Sequence, residues 1–165
     1  MLRKATTQDA SRLAEILIFA KRAAYRHIFK DDLTSFGRMQ VLPLALSFEQ
    51  DPSTLQGVLV WDDGIVKAMT RWAEPAERSM ELCELYIDPF FQGEGIGSAI
   101  IQAFCLHAKQ QGCQMVWLWV LEQNQKARQF YEKLGFYDSG ERRGEAENQD
   151  FFLLKYEKKL CEKLK

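Results

Sequence analysis

No run of apolar residues in this sequence approaches the ~20 that a membrane-crossing helix needs. The opening stretch MLRKATTQDASRLAEI also lacks the apolar core and small-residue cleavage site of a secretion signal. These absences predict a cytoplasmic protein with no membrane partner. An excess of one charge is missing too. Twenty-two Lys and Arg stand against 23 Asp and Glu, a formal net charge of −1. Bulk charge therefore offers no attraction to nucleic acid or to an anionic surface. Cysteine is sparse: the four are Cys83, Cys105, Cys113 and Cys161, with no CxxC pair. Three lie inside apolar runs, which predicts buried thiols rather than disulfides. The two histidines, His27 and His107, have no metal-ligand company in sequence, so no metal is expected. Repeats and low-complexity linkers are absent, and the length of 165 residues suits a single domain over 1–165.

What is present is an ordinary globular composition, 47% apolar and 27% charged. Residues 3–6 read as a first strand. Asp9 offers an N-cap to a helix running to about Tyr25, with Leu13, Ile16, Leu17 and Ala20 on one face. A second helical region covers Asp31–Glu49, interrupted near Pro43. Leu55–Trp61 and Ile65–Trp72 read as strands joined by the turn Asp62-Asp63-Gly64. Ser79–Ile87 is the next strand, closed by Asp88-Pro89. Ile96, Ala99, Ile100, Ala103 and Phe104 then recur at helical spacing until Gly112. Gln114–Leu121 is almost continuously apolar, as a strand buried on both faces would be. Asn124 caps a short helix ended by Gly135, and Phe136–Ser139 with Phe151–Lys158 form a last strand pair. The order predicts an α/β fold, a mixed sheet with helices on both faces.

Between the strand Ser79–Ile87 and the helix at Ile96 lies QGEGIG, residues 92–97, with glycine at alternate positions. A strand-turn-helix joint aims backbone N–H groups at one spot at the positive end of a helix dipole, which suits a phosphate. Glycine permits positive φ and close approach of a ligand. A Walker loop would need Gly-Lys-Ser/Thr, but Gly97 is followed directly by Ser98. A dinucleotide fingerprint would need GxGxxG in the first strand-helix unit. Both are rejected, and a glycine turn without a ligand stays open on the loop alone.

The segment ELYIDPFFQGEGIGSAII resembles the acetyl-coenzyme A signature of the GNAT superfamily of N-acetyltransferases, through Gln92, Gly95 and Gly97. VLEQNQKARQFYEKLGF is similar to the family's second motif, through Asn124, Ala127, Phe130, Tyr131, Gly135 and Phe136. The resemblance spans most of the chain and is weakest over 30–55 and 138–150. It implies a sheet of about seven strands with a splay between the fourth and fifth, and acetyl-coenzyme A as cosubstrate. The amides of Gln92, Gly93, Glu94, Gly95, Ile96 and Gly97 would hold its pyrophosphate. Backbone groups of Leu85, Tyr86 and Ile87 would pair with its pantetheine arm. Asn124 would bond that arm or a substrate, and Lys126 and Arg128 could reach phosphates. Tyr131 matches the tyrosine that protonates the departing thiolate, and a phenol stays protonated at neutral pH.

Glu81 and Glu84, in MELCELY, are the candidate bases. Three positions apart, they fall on opposite faces of an ideal strand unless a bulge intervenes. A carboxylate within an apolar strand has its pKa raised by desolvation toward that of a useful base. Two positions depart from the family pattern. Glu94 stands where relatives often carry a basic residue, and Lys67 where many carry glycine. His107 reads as structural, and His27 as a packing residue or an acceptor contact. The expected acceptor is a primary amine on a small molecule or peptide, and the expected assembly a monomer or homodimer. The rivals are an acyltransferase using another acyl group, a non-catalytic acyl-coenzyme A sensor, and a structural protein.

Overall fold

The computed structural model describes residues 1–144 and 151–160. Seven strands are arranged in the order β1-β2-β3-β4-β5-β7-β6. They are β1 (Leu2–Lys4), β2 (Val58–Asp62), β3 (Val66–Trp72), β4 (Ser79–Ile87), β5 (Met115–Leu121), β6 (Tyr137–Gly144) and β7 (Phe152–Lys159). Among the described residues four α-helices accompany them: α1 (Ala10–Phe29), α2 (Val41–Gln50), α3 (Ile96–Gln110) and α4 (Gln125–Lys133). β4 and β5 run parallel, while β1-β2, β2-β3, β5-β7 and β6-β7 are antiparallel. The mixed sheet expected from the element order is present.

The chain divides into two compact units, Met1–Arg71 with Glu84–Ile100, and Trp72–Cys83 with Ile101 onward. In the first, α1 lays Ala10, Leu13, Ala14 and Ile16 against Ala45 and Phe48 of α2 and Val58, Val60 and Met69 of β2 and β3. A second cluster gathers Ala68, Ile96 and Ile100, with Leu85, Ile87 and Phe91 packed against it. Leu85 and Ile87 thus share one face of β4, while Tyr86 joins the α1 cluster on the other, as strand alternation requires. In the second unit β5 pairs with β7 over seven positions, Met115↔Lys159 to Leu121↔Leu153. Val116, Leu118 and Val120 are buried. Fully buried Tyr156 donates its hydroxyl to Glu132 at 2.6 Å and accepts from Arg128 at 3.0 Å, tying β7 to α4.

Several sequence expectations need correction. Asp9 does not cap α1 through its side chain. Its carboxylate, 7% exposed, takes both terminal nitrogens of Arg3 at 2.8 Å and the Thr6 amide at 2.8 Å. Pro43 does not interrupt a helix either. It stands third in α2, where its missing N–H breaks no intrahelical bond, and the break falls at Met39–Gln40 before it. The strand expected from Leu55 begins at Val58, because Pro52–Leu55 form a 3₁₀ turn and Gly57 takes φ +76°. β6 runs on past Ser139 to Gly144 through a register shift between Asp138 and Arg142, with Gly140 at φ +87°. Cys83 is exposed, against the expected burial; Cys105 is half-buried and Cys113 buried, and Cys161 lies outside the described residues.

Candidate functional site

The glycine loop belongs to the first unit. Asp88 ends the strand that precedes it. Its carboxylate, 2% exposed, accepts from the Phe90 amide at 2.9 Å and from Arg12 of α1 at 2.5 Å. Arg12 also donates to the Val66 carbonyl and to Glu15. One guanidinium therefore fixes α1, β3 and the start of the loop together. Pro89–Phe91 make a 3₁₀ turn, and α3 begins at Ile96. The Ala99 amide donates to the Gly95 carbonyl at 3.0 Å, the first bond of α3. Amides before it have no acceptor within the helix. Gly93 and Gly95 stand at φ +87° and +81°, a conformation side chains disfavour. A Cβ at either would meet no protein atom within 4 Å. Conformation, not crowding by the protein, selects glycine here, and the space above the loop is open to a ligand.

Beside the loop, Lys67 of β3 holds Asp63 at 3.0 Å and Glu94 at 3.5 Å, with the Phe91 ring centroid at 4.8 Å. The two departures from the family pattern are thus one contact: the loop's acid faces the strand's lysine. Glu84 is half-buried, and its carboxylate lies 3.2 Å from Arg71 Nε. Both atoms are buried and in ion-pair contact without the alignment of a hydrogen bond. The Glu84 carbonyl accepts from the buried Thr70 hydroxyl at 2.8 Å. Two backbone bonds join the neighbourhoods of β3 and β4, from Asp88 N–H to Lys67 O and from Ala73 N–H to Glu81 O. Between them β3 advances six residues and β4 seven, the mismatch of a β-bulge.

The second unit carries the remaining candidates. Glu81 pairs with Trp117 across the parallel β4-β5 register. Burial pushes its carboxyl above the ordinary range, opposed by Arg143 and Lys155. Those cations lie over indole rings, Arg143 at 4.3 Å from Trp119 and Lys155 at 5.2 Å from Trp117. Asn124 caps α4 as expected, its side-chain oxygen accepting from the Ala127 amide at 3.2 Å. Lys126 is exposed on the first turn of α4. Arg128 is committed to Tyr156 and to the Glu122 carbonyl at 3.1 Å. Tyr131 is half-buried, its ring edge-on to Phe130 at 5.1 Å and Phe136 at 5.7 Å. His107 stacks on Trp72 at 5.4 Å, the structural role expected of it, while His27 is exposed. Among the described residues no three His, Cys, Asp or Glu side chains are grouped to hold a metal, and no helix is long and apolar enough to cross a membrane.

Arg12 and Asp88 were missed as site residues. Asp88-Pro89 is visible in sequence as a strand end, but its partner lies 76 residues earlier and no local signal marks it.

A model of the acetyltransferase (GNAT) family matches residues 13–136, most of the chain. The chain belongs to the GNAT acetyltransferase family. Among curated relatives, it is 39% identical over 75 residues to an uncharacterised N-acetyltransferase of Methanocaldococcus jannaschii, covering 44% of this chain and 33% of that one. It is 37% identical over 67 residues to thialysine N-epsilon-acetyltransferase of Bos taurus, covering 41% and 39%. The matched segments thus span a third to two-fifths of those relatives. In fold it is similar to a PaiA N-acetyltransferase from Thermoplasma acidophilum solved in complex with coenzyme A. The TM-score is 0.70, with 21% identity, over 96% of this chain and 98% of that one. The overall fold is therefore shared with that protein.

Proposed function

We propose that this chain is an acetyl-coenzyme A-dependent N-acetyltransferase, acting over 1–165 as one domain on a primary amine of a small molecule or peptide. The observation that carries this reading is the loop Gln92–Gly97. It stands at the start of α3 inside the family match, with two glycines at positive φ and open space above them. Membership of an acetyltransferase family and N-acetyltransferase relatives support the same activity.

Acetyl-coenzyme A supplies the thioester. In this reading the amides of residues 92–97 bind its pyrophosphate, as a helix N-terminus binds an anion. The backbone of Leu85, Tyr86 and Ile87 pairs with the pantetheine amides in the manner of an added strand, in the splay expected between β4 and β5. Asn124 bonds the arm or the acceptor. Lys126, exposed on α4, and Arg128, held by Tyr156 and the Glu122 carbonyl, are the candidates for a phosphate. Glu81 takes the proton of the acceptor ammonium, directly or through a water. Its raised pKa supports it over Glu84, whose carboxylate lies against Arg71. The amine nitrogen then forms its bond to the acetyl carbon as the carbon–sulfur bond breaks. Tyr131 gives its phenolic proton to the departing sulfur, and the nitrogen sheds its second proton to the phenolate through solvent, leaving the neutral amide and Tyr131 reprotonated. The cytoplasm and a monomeric or homodimeric state complete the proposal.

The test is free thiol release from acetyl-coenzyme A against a panel of amines. Amine-dependent release, lost in Gly95→Asp, is the expected result. Cofactor binding without release on any amine would point to a sensor, and no binding at millimolar cofactor would sink the reading.

A further inference from the structure

Glu94 poses a problem for the loop that carries it. A carboxylate between two glycines of an anion-binding turn repels the anion the turn would bind, unless a cation offsets it. Lys67 is that cation, and its environment shows a division of labour. The contact with Asp63, at 3.0 Å, is a hydrogen bond. The contact with Glu94, at 3.5 Å, is the longer of the two. Phe91 bounds the ammonium on a further side at 4.8 Å. Asp63 lies in the β2-β3 turn, four residues before Lys67, and keeps the shorter contact; both carboxylates are about half exposed, and it is Glu94, at the longer distance, that can give way to another anion.

We propose that Lys67 is a ligand of the cofactor pyrophosphate, exchanging Glu94 for a phosphate oxygen while Asp63 keeps its ammonium beside the loop. This rests on the acetyl-coenzyme A reading. The positive charge at the loop comes here from β3, with Glu94 holding the lysine in place until the cofactor arrives. A compact ammonium on a four-carbon stem suits such an exchange. Glu94 competes with the phosphate for Lys67, so it sets a ceiling on affinity.

Calorimetric titration with coenzyme A and with dephospho-coenzyme A tests this on the full chain. Lys67→Met weakens binding about tenfold, the worth of one charge-assisted contact. The loss is equal for both ligands, because both keep the pyrophosphate, and it persists in an E94Q background. Lys67→Arg retains most of the affinity. Glu94→Gln alone tightens binding a few-fold, and this arm stands even where Lys67→Met fails to fold. Binding by Lys67→Met within twofold of wild type overturns the inference. So does a loss that vanishes beside E94Q, which would make the lysine only a counter-charge for Glu94. A loss confined to coenzyme A would move Lys67 to the 3′-phosphate and overturn the pyrophosphate assignment. An unchanged affinity in Glu94→Gln also overturns it. Wild-type protein that binds neither ligand fails at the cofactor reading itself.

Discussion

Tyr131 is packed edge-on against Phe130 and Phe136, so its ring has a structural job independent of its hydroxyl. Tyr131→Phe keeps that packing and removes the proposed proton donor. Cofactor affinity should stay within a few-fold of wild type, while kcat falls by roughly 10²–10⁴. The fall should appear equally in kcat and kcat/KM, as for an interaction made in the transition state. Steady-state rates on an accepted amine decide it, and wild-type turnover would remove Tyr131 from the mechanism. Glu81 makes a pH prediction. Its carboxyl is raised in the fold, chiefly by burial. As a base it must be ionised, so activity should climb as pH rises through that raised value, and Glu81→Gln should flatten the limb. Stability runs the other way. The folded state binds this proton more tightly than the unfolded chain, so stability is fullest below the unfolded carboxyl pKa. It declines as pH rises through the folded one. Urea midpoints across the acidic range should show that slope shrink in Glu81→Gln.

At the scale of the element, the joint between β4 and α3 depends on a guanidinium supplied from α1. Arg12→Met would leave the Asp88 carboxylate buried without its charge partner. A loss of about 3 kcal/mol is expected from chemical denaturation, because breaking one side of a buried pair strands the other. Coenzyme A affinity should fall with it, since Asp88 also holds the Phe90 amide at the loop. A variant of wild-type stability would make the pair dispensable. Elements bounded by their own residues were legible in sequence. β4 runs from Ser79 to Ile87, the span expected, because Asp88-Pro89 stops it locally. Asn124 caps α4 and Gly112 and Gly135 take positive φ after their helices, as their residue types dictate. Elements whose limits come from elsewhere were not legible. Asp9 looked like a helix cap until Arg3 claimed its carboxylate. The exposed polar part of β6 beyond Ser139 shows no strand pattern of its own and takes its form from pairing with β7. The site divides the same way. Its glycine loop announces itself, whereas Arg12 and the Lys67–Glu94 contact exist only once distant segments meet.

Over the whole molecule, the proposed function makes stability depend on the cosubstrate. Acetyl-coenzyme A at a hundred times its Kd should stabilise the folded state by about 2.7 kcal/mol. A rise of roughly 5–10 °C in Tm is the corresponding shift for a chain of this size. Hydrogen exchange should slow at residues 85–97 and also at residues 124–131. Protection confined to the first group would detach Asn124 and Tyr131 from the cofactor. Light scattering should give the mass of a monomer or a homodimer. The placing of β7 between β5 and β6 has a further consequence, for the chain as it is made. β5, MVWLWVL, leaves the ribosome well before the strand that will cover its edge, for β6 emerges next yet does not pair with it. Until residues 152–159 follow, a strongly apolar edge stays open to neighbouring chains. Synthesis halted near residue 150 should therefore yield insoluble material, and slowing translation across residues 122–151 should lower the soluble yield of the complete protein.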